Sequence, residues 1–396
     1  MMQQYKIGDC LKRVENPVEV DPKAMYTQVG IRSHGKGLFY KEPVSGAELG
    51  NKAVFWIEPD CFILNIVFAW EQAIGKTTAA EVGMIGSHRF PMYRPVKNLV
   101  DIDYLIYYFL TKRGTDILEA ASPGGAGRNR TLGQDRFLKS KIILPPIEEQ
   151  RRIAEILATQ DRVIELYGRK IEELQRFKKG ALSKMFPEPG HNTPEVRFPG
   201  FTDAWKQRKV GDIAGRTYGG GTPKTGVDEY WGGDIPWIQS SNLEEHRLFD
   251  VDIQKHITES GLQKSATQLV PKGSIAVVSH VGVGKLVFIP FEYTTSQDFI
   301  SLSELKTEPF FTCYALYRRI QGDQNAVQGS SIKGITKEDL LNKEISVPSL
   351  NEQTIIGVAL QSLDNLITLH QRKRDEEIRK KKALMQLLLT GKVRVK

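Results

Sequence analysis

A chain of 396 residues, 40% hydrophobic and 26% charged, has room for two to four domains with buried cores and the balance of a globular protein. Its net charge of +8 is uneven: residues 369–396 carry ten Lys/Arg against three acids, a balance of +7, so the other 368 are nearly neutral. The most apolar stretch, 54–70, is broken by Glu58, Pro59 and Asp60, the start MMQQYKIGDC lacks a secretory signal pattern, and Cys10, Cys61 and Cys313 have no metal-ligand spacing, which argues against a membrane span, secretion and a disulfide or zinc scaffold and leaves free thiols in a reducing cytoplasm as the expectation.

In chain order, residues 52–57 and 61–68 have strand composition. Ala73-Ile74-Gly75-Lys76-Thr77-Thr78 resembles the end of a phosphate-binding loop, but position 70 is Trp70 where that loop needs glycine, so a turn between strands is expected. A helix is expected over 102–118, capped by Asp101 or Asp103, and a flexible turn at Gly124-Gly125-Ala126-Gly127. From 146 to 186 apolar residues recur in steps of four and three: Ile153, Leu157, Ile164, Tyr167, Ile171 and Leu174, with Gln160 as the exception. That spacing is a coiled-coil seam. Residues 187–199, PEPGHNTPEVRFP, read as a hinge or linker. Glycine-rich turns at 219–221 and 232–233 and strands at 274–278 and 285–290 follow. A second long helix, 348–390, continues the seam with Ile356, Leu360, Leu363 and Ile367. It then places His370 and Arg374 on the seam, so the register is expected to shift toward Ile378. Residues 391–396 form a basic tail.

The two helical passages are copies. Pro145 maps to Pro348, Gln150 to Gln353, Asp161 to Asp364 and Lys178 to Lys381, each by 203 positions (348 − 145 = 203). Tyr5-Lys6-Ile7-Gly8-Asp9 and Arg208-Lys209-Val210-Gly211-Asp212 share that shift. Ile74-Gly75-Lys76 and Val283-Gly284-Lys285, and Ser87-His88-Arg89-Phe90 and Ser296-Gln297-Asp298-Phe299, are shifted by 209 (283 − 74 = 209). Each half is thus a variable globular segment followed by a near-constant helix, and the helices, about 60 Å long at 1.5 Å per residue, need a partner to be stable in water. The expected architecture is mixed α/β (α+β): globular segments 1–145 and 200–347, separated by two long helices packed as an antiparallel coiled coil with pseudo-two-fold symmetry.

Catalytic chemistry is not legible. There is no G-x-G-x-x-G before a helix, no His/Cys cluster at zinc spacing, and no Asn/Asp-Pro-Pro-aromatic motif, since Asn16-Pro17-Val18-Glu19 fails at its third and fourth positions. No catalytic and no metal residues are assigned.

The order and duplication of Leu144-Pro145-Pro146-Ile147-Glu148-Glu149-Gln150, Val347-Pro348-Ser349-Leu350-Asn351-Glu352-Gln353, Gly221-Thr222-Pro223 and Tyr230-Trp231-Gly232-Gly233-Asp234-Ile235-Pro236-Trp237 resemble the specificity subunit of a type I DNA restriction-modification system. Ser349 departs from the family's usual second proline. The resemblance implies a non-catalytic subunit whose two globular segments each read one half of a bipartite duplex DNA target while the helices set the gap. It also implies two methyltransferase subunits bringing S-adenosylmethionine, with two motor-nuclease subunits, bringing ATP and Mg, as optional additions. The DNA-contact candidates are His88, Arg89, Arg128, Asn129 and Arg130 in the first segment. In the second they are Lys224, Gln239, Ser240, Ser241, Asn242, Ser296, Gln297, Ser330, Ser331 and Lys333. These types anchor phosphates or read base edges from loops. The competing reading is a coiled-coil scaffold displaying two protein-binding domains, which the near-neutral globular segments favour.

Overall fold

The computed structural model describes residues 2–50, 52–124, 130–326 and 334–395. They form two compact units: residues Met1–Gly168 with Arg372–Lys396, and residues Arg169–Gln371. Each unit therefore contains one globular segment and part of each long helix.

The first unit is built on a four-stranded antiparallel sheet in the spatial order Leu11–Val14, Met92–Pro95, Phe62–Leu64, Ile74–Lys76. The second has Ala214–Gly219, Phe299–Leu305, Ser274–Val278, Leu286–Ile289 in the same order and the same chain sequence. The duplication is thus one of topology as well as of letters. The edge strand Leu286–Ile289 takes the place of Ile74–Lys76, and Val283-Gly284-Lys285, expected to match it, lies in the turn just before. The phosphate-loop look-alike is likewise a strand and not a turn, with Lys76 paired to Asp103 at 2.8 Å.

Each globular segment is closed at its base by its first and last strands. Gln3–Lys6 pairs with Lys141–Leu144, and Lys206–Lys209 with Glu344–Val347; Gln3↔Leu144 and Lys206↔Val347 are the same pair 203 residues on (206 − 3 = 203). The repeated glycine lies close to a neighbouring backbone in both copies, tightly at Gly8 and in ordinary contact at Gly211. A Cβ on Gly8 would sit 3.2 Å from the Leu138 carbonyl oxygen, and one on Gly211 3.4 Å from that of Leu341. The expected helix over 102–118 is two helices, Ile102–Phe109 and Lys112–Ala121. Asp101 caps the first through Tyr104 N at 2.9 Å, and Thr111 restarts the second by accepting from Gly114 N. Gly114 permits the break, because a Cβ there would meet the Tyr108 oxygen at 2.3 Å.

The long helices run Ile147–Lys184 and Leu350–Leu389. Their seam residues join the cores: Ile153 and Leu157 with Leu388 and Leu389 in the first unit, Ile356 and Leu360 with Phe186 in the second. Ile171 and Ile367 are buried, and Ile164, Tyr167, Leu174 and Leu363 half-buried. The helices pack antiparallel in both units, as Gln160 meets Glu377 in one and Lys178 meets Asp364 in the other. Two details differ from the sequence reading. Ile378 is 45% exposed, and His370, Arg374, Glu377 and Lys381 hold the half-buried positions, so the seam continues in register through polar residues. Gln160 is no flaw in the seam, since its amide donates to Glu377 across it at 3.2 Å.

The P-x-x-x-E-Q start shared by the two helices, from Pro145 and from Pro348, is an anchor. Gln150 Nε2 donates to the carbonyls of Pro145 (2.8 Å) and Leu99 (2.9 Å), and its Oε1 accepts from Asp101 N. Gln353 donates to the Pro348 carbonyl at 2.9 Å and accepts from Glu308 N. A buried amide thereby ties each long helix to the start of a helix in its globular segment, satisfying end groups that the helices leave open. Glu149 receives a bidentate pair from Arg394, and Glu352 one from Arg197 at 2.7 and 2.8 Å. Segment 187–199 is correspondingly docked: Arg318 donates to the Pro187 carbonyl, Val196 N to that of Lys184, and Arg197 to Glu352.

Candidate nucleic-acid interface

In the first unit the turn over 65–72 gathers the loops. Asn65 Oδ1 accepts from Val67 N at 3.0 Å, which shapes the turn. Ile66 N donates to the Arg89 carbonyl (3.0 Å), and Leu132 N donates to the Ile66 carbonyl (2.8 Å). The Arg130 guanidinium lies 5.3 Å from the Trp70 ring centroid, a cation–π contact. His88 and Arg89 are exposed in the loop that leads into Met92–Pro95. Two separated strings of the sequence, 88–89 and 130, thus meet around one turn. Arg128 and Asn129 lie outside the described residues, as do Ser330, Ser331 and Lys333 of the second half.

The same turn holds an element the sequence reading did not select. Hairpin Val29–Ile31 and Leu38–Tyr40 carries a tip, residues 32–37, whose His34 N and Gly35 N donate to the carbonyls of Glu71 (2.8 Å) and Gln72 (2.9 Å). Arg32, His34 and Lys36 are exposed on it. The available signal was a basic, glycine-rich string, Arg32-Ser33-His34-Gly35-Lys36-Gly37, between two short apolar runs.

In the second unit the glycine-rich loop after Ala214–Gly219 is clamped from three sides. Trp237 Nε1 donates to the Gly221 carbonyl (2.9 Å), Trp231 Nε1 to the Lys224 carbonyl (3.2 Å), and Gly221 N to the Thr295 carbonyl (2.8 Å). The glycines are required by closeness, because a Cβ on Gly220 would lie 1.8 Å from the Ser296 carbonyl oxygen. Thr222 Oγ1 donates to Gln297 Oε1 at 2.6 Å. Trp231 and Trp237 meet edge to face, and the exposed Lys255 stands 5.6 and 5.9 Å from their ring centroids. The tryptophan motif therefore serves to hold a loop, and it gathers Lys224, Thr222, Gln297 and the previously unselected Lys255.

The remaining candidates divide by exposure. Gln239 and Ser240 are half-buried and Ser241 is exposed, in the turn that follows Trp231–Ile238. Asn242 is 3% exposed and its Oδ1 accepts from Gln239 N; Ser296 is 3% exposed, with its N donating to the Ile238 carbonyl and its hydroxyl to Asp298. The fold places these last two side chains in the framework behind the loops, not on the surface.

Among the described residues no group of His, Cys, Asp or Glu has metal-holding geometry, and no helix is long and apolar enough to cross a membrane. All three cysteines are buried and free.

Comparison with known proteins agrees with this architecture. The sequence matches the family described as type I restriction modification DNA specificity domain over residues 58–176 and again over 202–380. It is 27% identical over 415 aligned positions to the type I restriction enzyme MjaVIII specificity subunit of Methanocaldococcus jannaschii, covering 99% of this chain and 92% of that one. Two crystal structures share the fold alone. The type I restriction-modification S subunit of M. genitalium has a TM-score of 0.61 at 13% identity, over 98% of this chain and 96% of that one. The HsdS subunit of Thermoanaerobacter tengcongensis has 0.51 at 20% identity, over 99% and 97%. With two family domains on one repeated framework, the chain belongs to the type I restriction-modification specificity subunits, the non-catalytic, DNA-recognising component of those systems.

Proposed function

We propose that this chain reads a bipartite duplex DNA target, one half-site per unit, and holds two adenine-methyltransferase subunits on the symmetry of its repeat. The observation that carries the reading is the repeated framework with unlike loops. Sheet order, base strands and helix anchors recur at equivalent positions, while the elements presented differ: a basic hairpin tip in one unit and a tryptophan-clamped glycine loop in the other. A constant frame with variable loops suits two readers of different sequence joined to a common spacer. The cations at the loops would anchor phosphates, and polar side chains beside them would read base edges.

S-adenosylmethionine would be bound by the methyltransferase partners, which would take the target adenine out of the stack. ATP and Mg would enter with two motor-nuclease subunits where these join. The cytoplasm is the compartment such a system would occupy.

Salt dependence of binding separates this function from a protein-binding scaffold. The complex of this chain with its methyltransferase, titrated with duplex DNA carrying its target, should lose affinity steeply between 50 and 200 mM salt, by roughly a thousandfold or more if six or so phosphates are neutralised. Affinity that is independent of both salt and sequence would reject it.

A further inference from the structure

Resting on the DNA-reading function above, we propose that the hairpin tip 32–37 is a specificity-determining element of the first unit, entering the major groove with Arg32 and His34 on base edges and Lys36 on the backbone. The major groove admits a two-stranded ribbon, and Arg is the usual partner of guanine there. Exposure alternates along the tip: Arg32, His34 and Lys36 are exposed, whereas Ser33, Gly35 and Gly37 are half-buried. The three side chains that could bind DNA thus share the outward side.

The tip is held before any ligand arrives. Arg32 N donates to the Gly37 carbonyl at 3.0 Å, closing the loop. Ser33 Oγ donates to Glu71 Oε2 at 3.1 Å, which engages the acid that touches the tip. Gly35 lies against Leu110, where a Cβ would come within 2.6 Å of that side chain. His34 has φ 61°, the left-handed conformation that glycine adopts freely and that histidine enters more often than most side chains. Backbone hydrogen bonds from His34 N and Gly35 N hold that conformation and leave the ring exposed. Arg32 donates through Nη1 to the Leu38 carbonyl (2.7 Å) and sits 5.1 Å from the Phe39 ring centroid. Its plane is fixed by these contacts while its other donors stay available. The Arg89 backbone and the Arg130 guanidinium converge on the same 65–72 turn.

The test uses the whole chain co-expressed with its methyltransferase, with methylated adenines mapped and thermal melting recorded. Arg32→Lys keeps the charge and removes the fork. His34→Gly keeps, and eases, the backbone while removing the ring. The expected result is that both variants melt no lower than the wild type, and that discrimination at one or two base pairs of a single half-site falls by roughly tenfold or more, the other half-site being untouched. A motif unchanged in both variants overturns this proposal and leaves the DNA-reading function intact. An active wild-type complex that methylates with no motif overturns both.

Discussion

Asp161 Oδ1 accepts from Lys381 Nζ at 2.5 Å, and its other oxygen accepts from the Tyr107 hydroxyl at 2.8 Å; in the second unit Asp364 does the same with Lys178 (2.5 Å) and Tyr314 (2.6 Å). Each lysine also faces the ring of its tyrosine, at 5.3 Å for Lys381 and 5.7 Å for Lys178. One long helix supplies the acid, the other the lysine, and the globular segment the tyrosine. A slip of either helix would strand all three, so the constellation fixes helix register and docks the domain at once.

The two copies should differ in worth. The Lys178 and Asp364 side chains are 10% and 19% exposed, against 20% and 42% for Lys381 and Asp161. Burial raises the penalty for leaving one charge alone, and exposure lowers it. Lys178→Ala should therefore cost about 3 kcal/mol and Lys381→Ala about 1 kcal/mol in urea unfolding at neutral pH. Equal losses would show that burial does not set the strength of these pairs.

Acid should loosen the first anchor. The Arg394 guanidinium holds the Glu149 carboxyl below the usual carboxylate range. A group with a depressed folded value stabilises fully above its unfolded value, about pH 4.3, and loses that contribution as pH falls through the folded one. Glu149→Gln should thus be less stable than the wild type near neutrality, with the gap closing below about pH 4. A gap that is constant down to pH 3 would mean the ionised form has no special role.

The thiols should be inert in the folded chain. Burial pushes Cys10 up to about 11 and also raises Cys61 and Cys313. The thiolate is the reactive form, so an aromatic disulfide reagent at pH 8 should label none of the three quickly and all three after denaturation. Rapid labelling of one native thiol would contradict the packing around it.

Loop clamping in the second unit predicts two distinct defects. Gly220→Ala forces a methyl against the Ser296 carbonyl and should displace the loop that carries Lys224, erasing discrimination in one half-site. Lys255→Ala leaves the loop in place, so it should weaken binding to all sequences alike and reduce the salt slope by about 1. Competition binding at several salt concentrations tells the two patterns apart.

The parts of this fold visible in the sequence are those written periodically. The shift of 203 and the seven-residue seam exposed the long helices, because burial on one stripe repeats along a helix. The mixed α/β class followed from composition, as did the strands Val54–Trp56, Phe62–Leu64, Ser274–Val278 and Leu286–Ile289. What stayed hidden depends on contacts between distant segments. Gln160 looked like an error in the seam until Glu377 stood opposite, and the expected shift toward Ile378 failed because polar pairs kept the register. Glu149 and Glu352 were legible only as residues near a helix start, while their arginines sit in segments that read as linker and tail. The hairpin tip was overlooked because a short basic, glycine-rich string has no partner in the other half to mark it.

The central claim is that each unit reads one half of a bipartite DNA target. Co-expression of this chain with its methyltransferase, followed by genome-wide mapping of methylated adenines, tests it most directly. The account predicts a bipartite motif: two unlike half-sites separated by a constant gap of about one helical turn. An active methyltransferase complex containing this chain that yields no motif, or a single uninterrupted one, would contradict it.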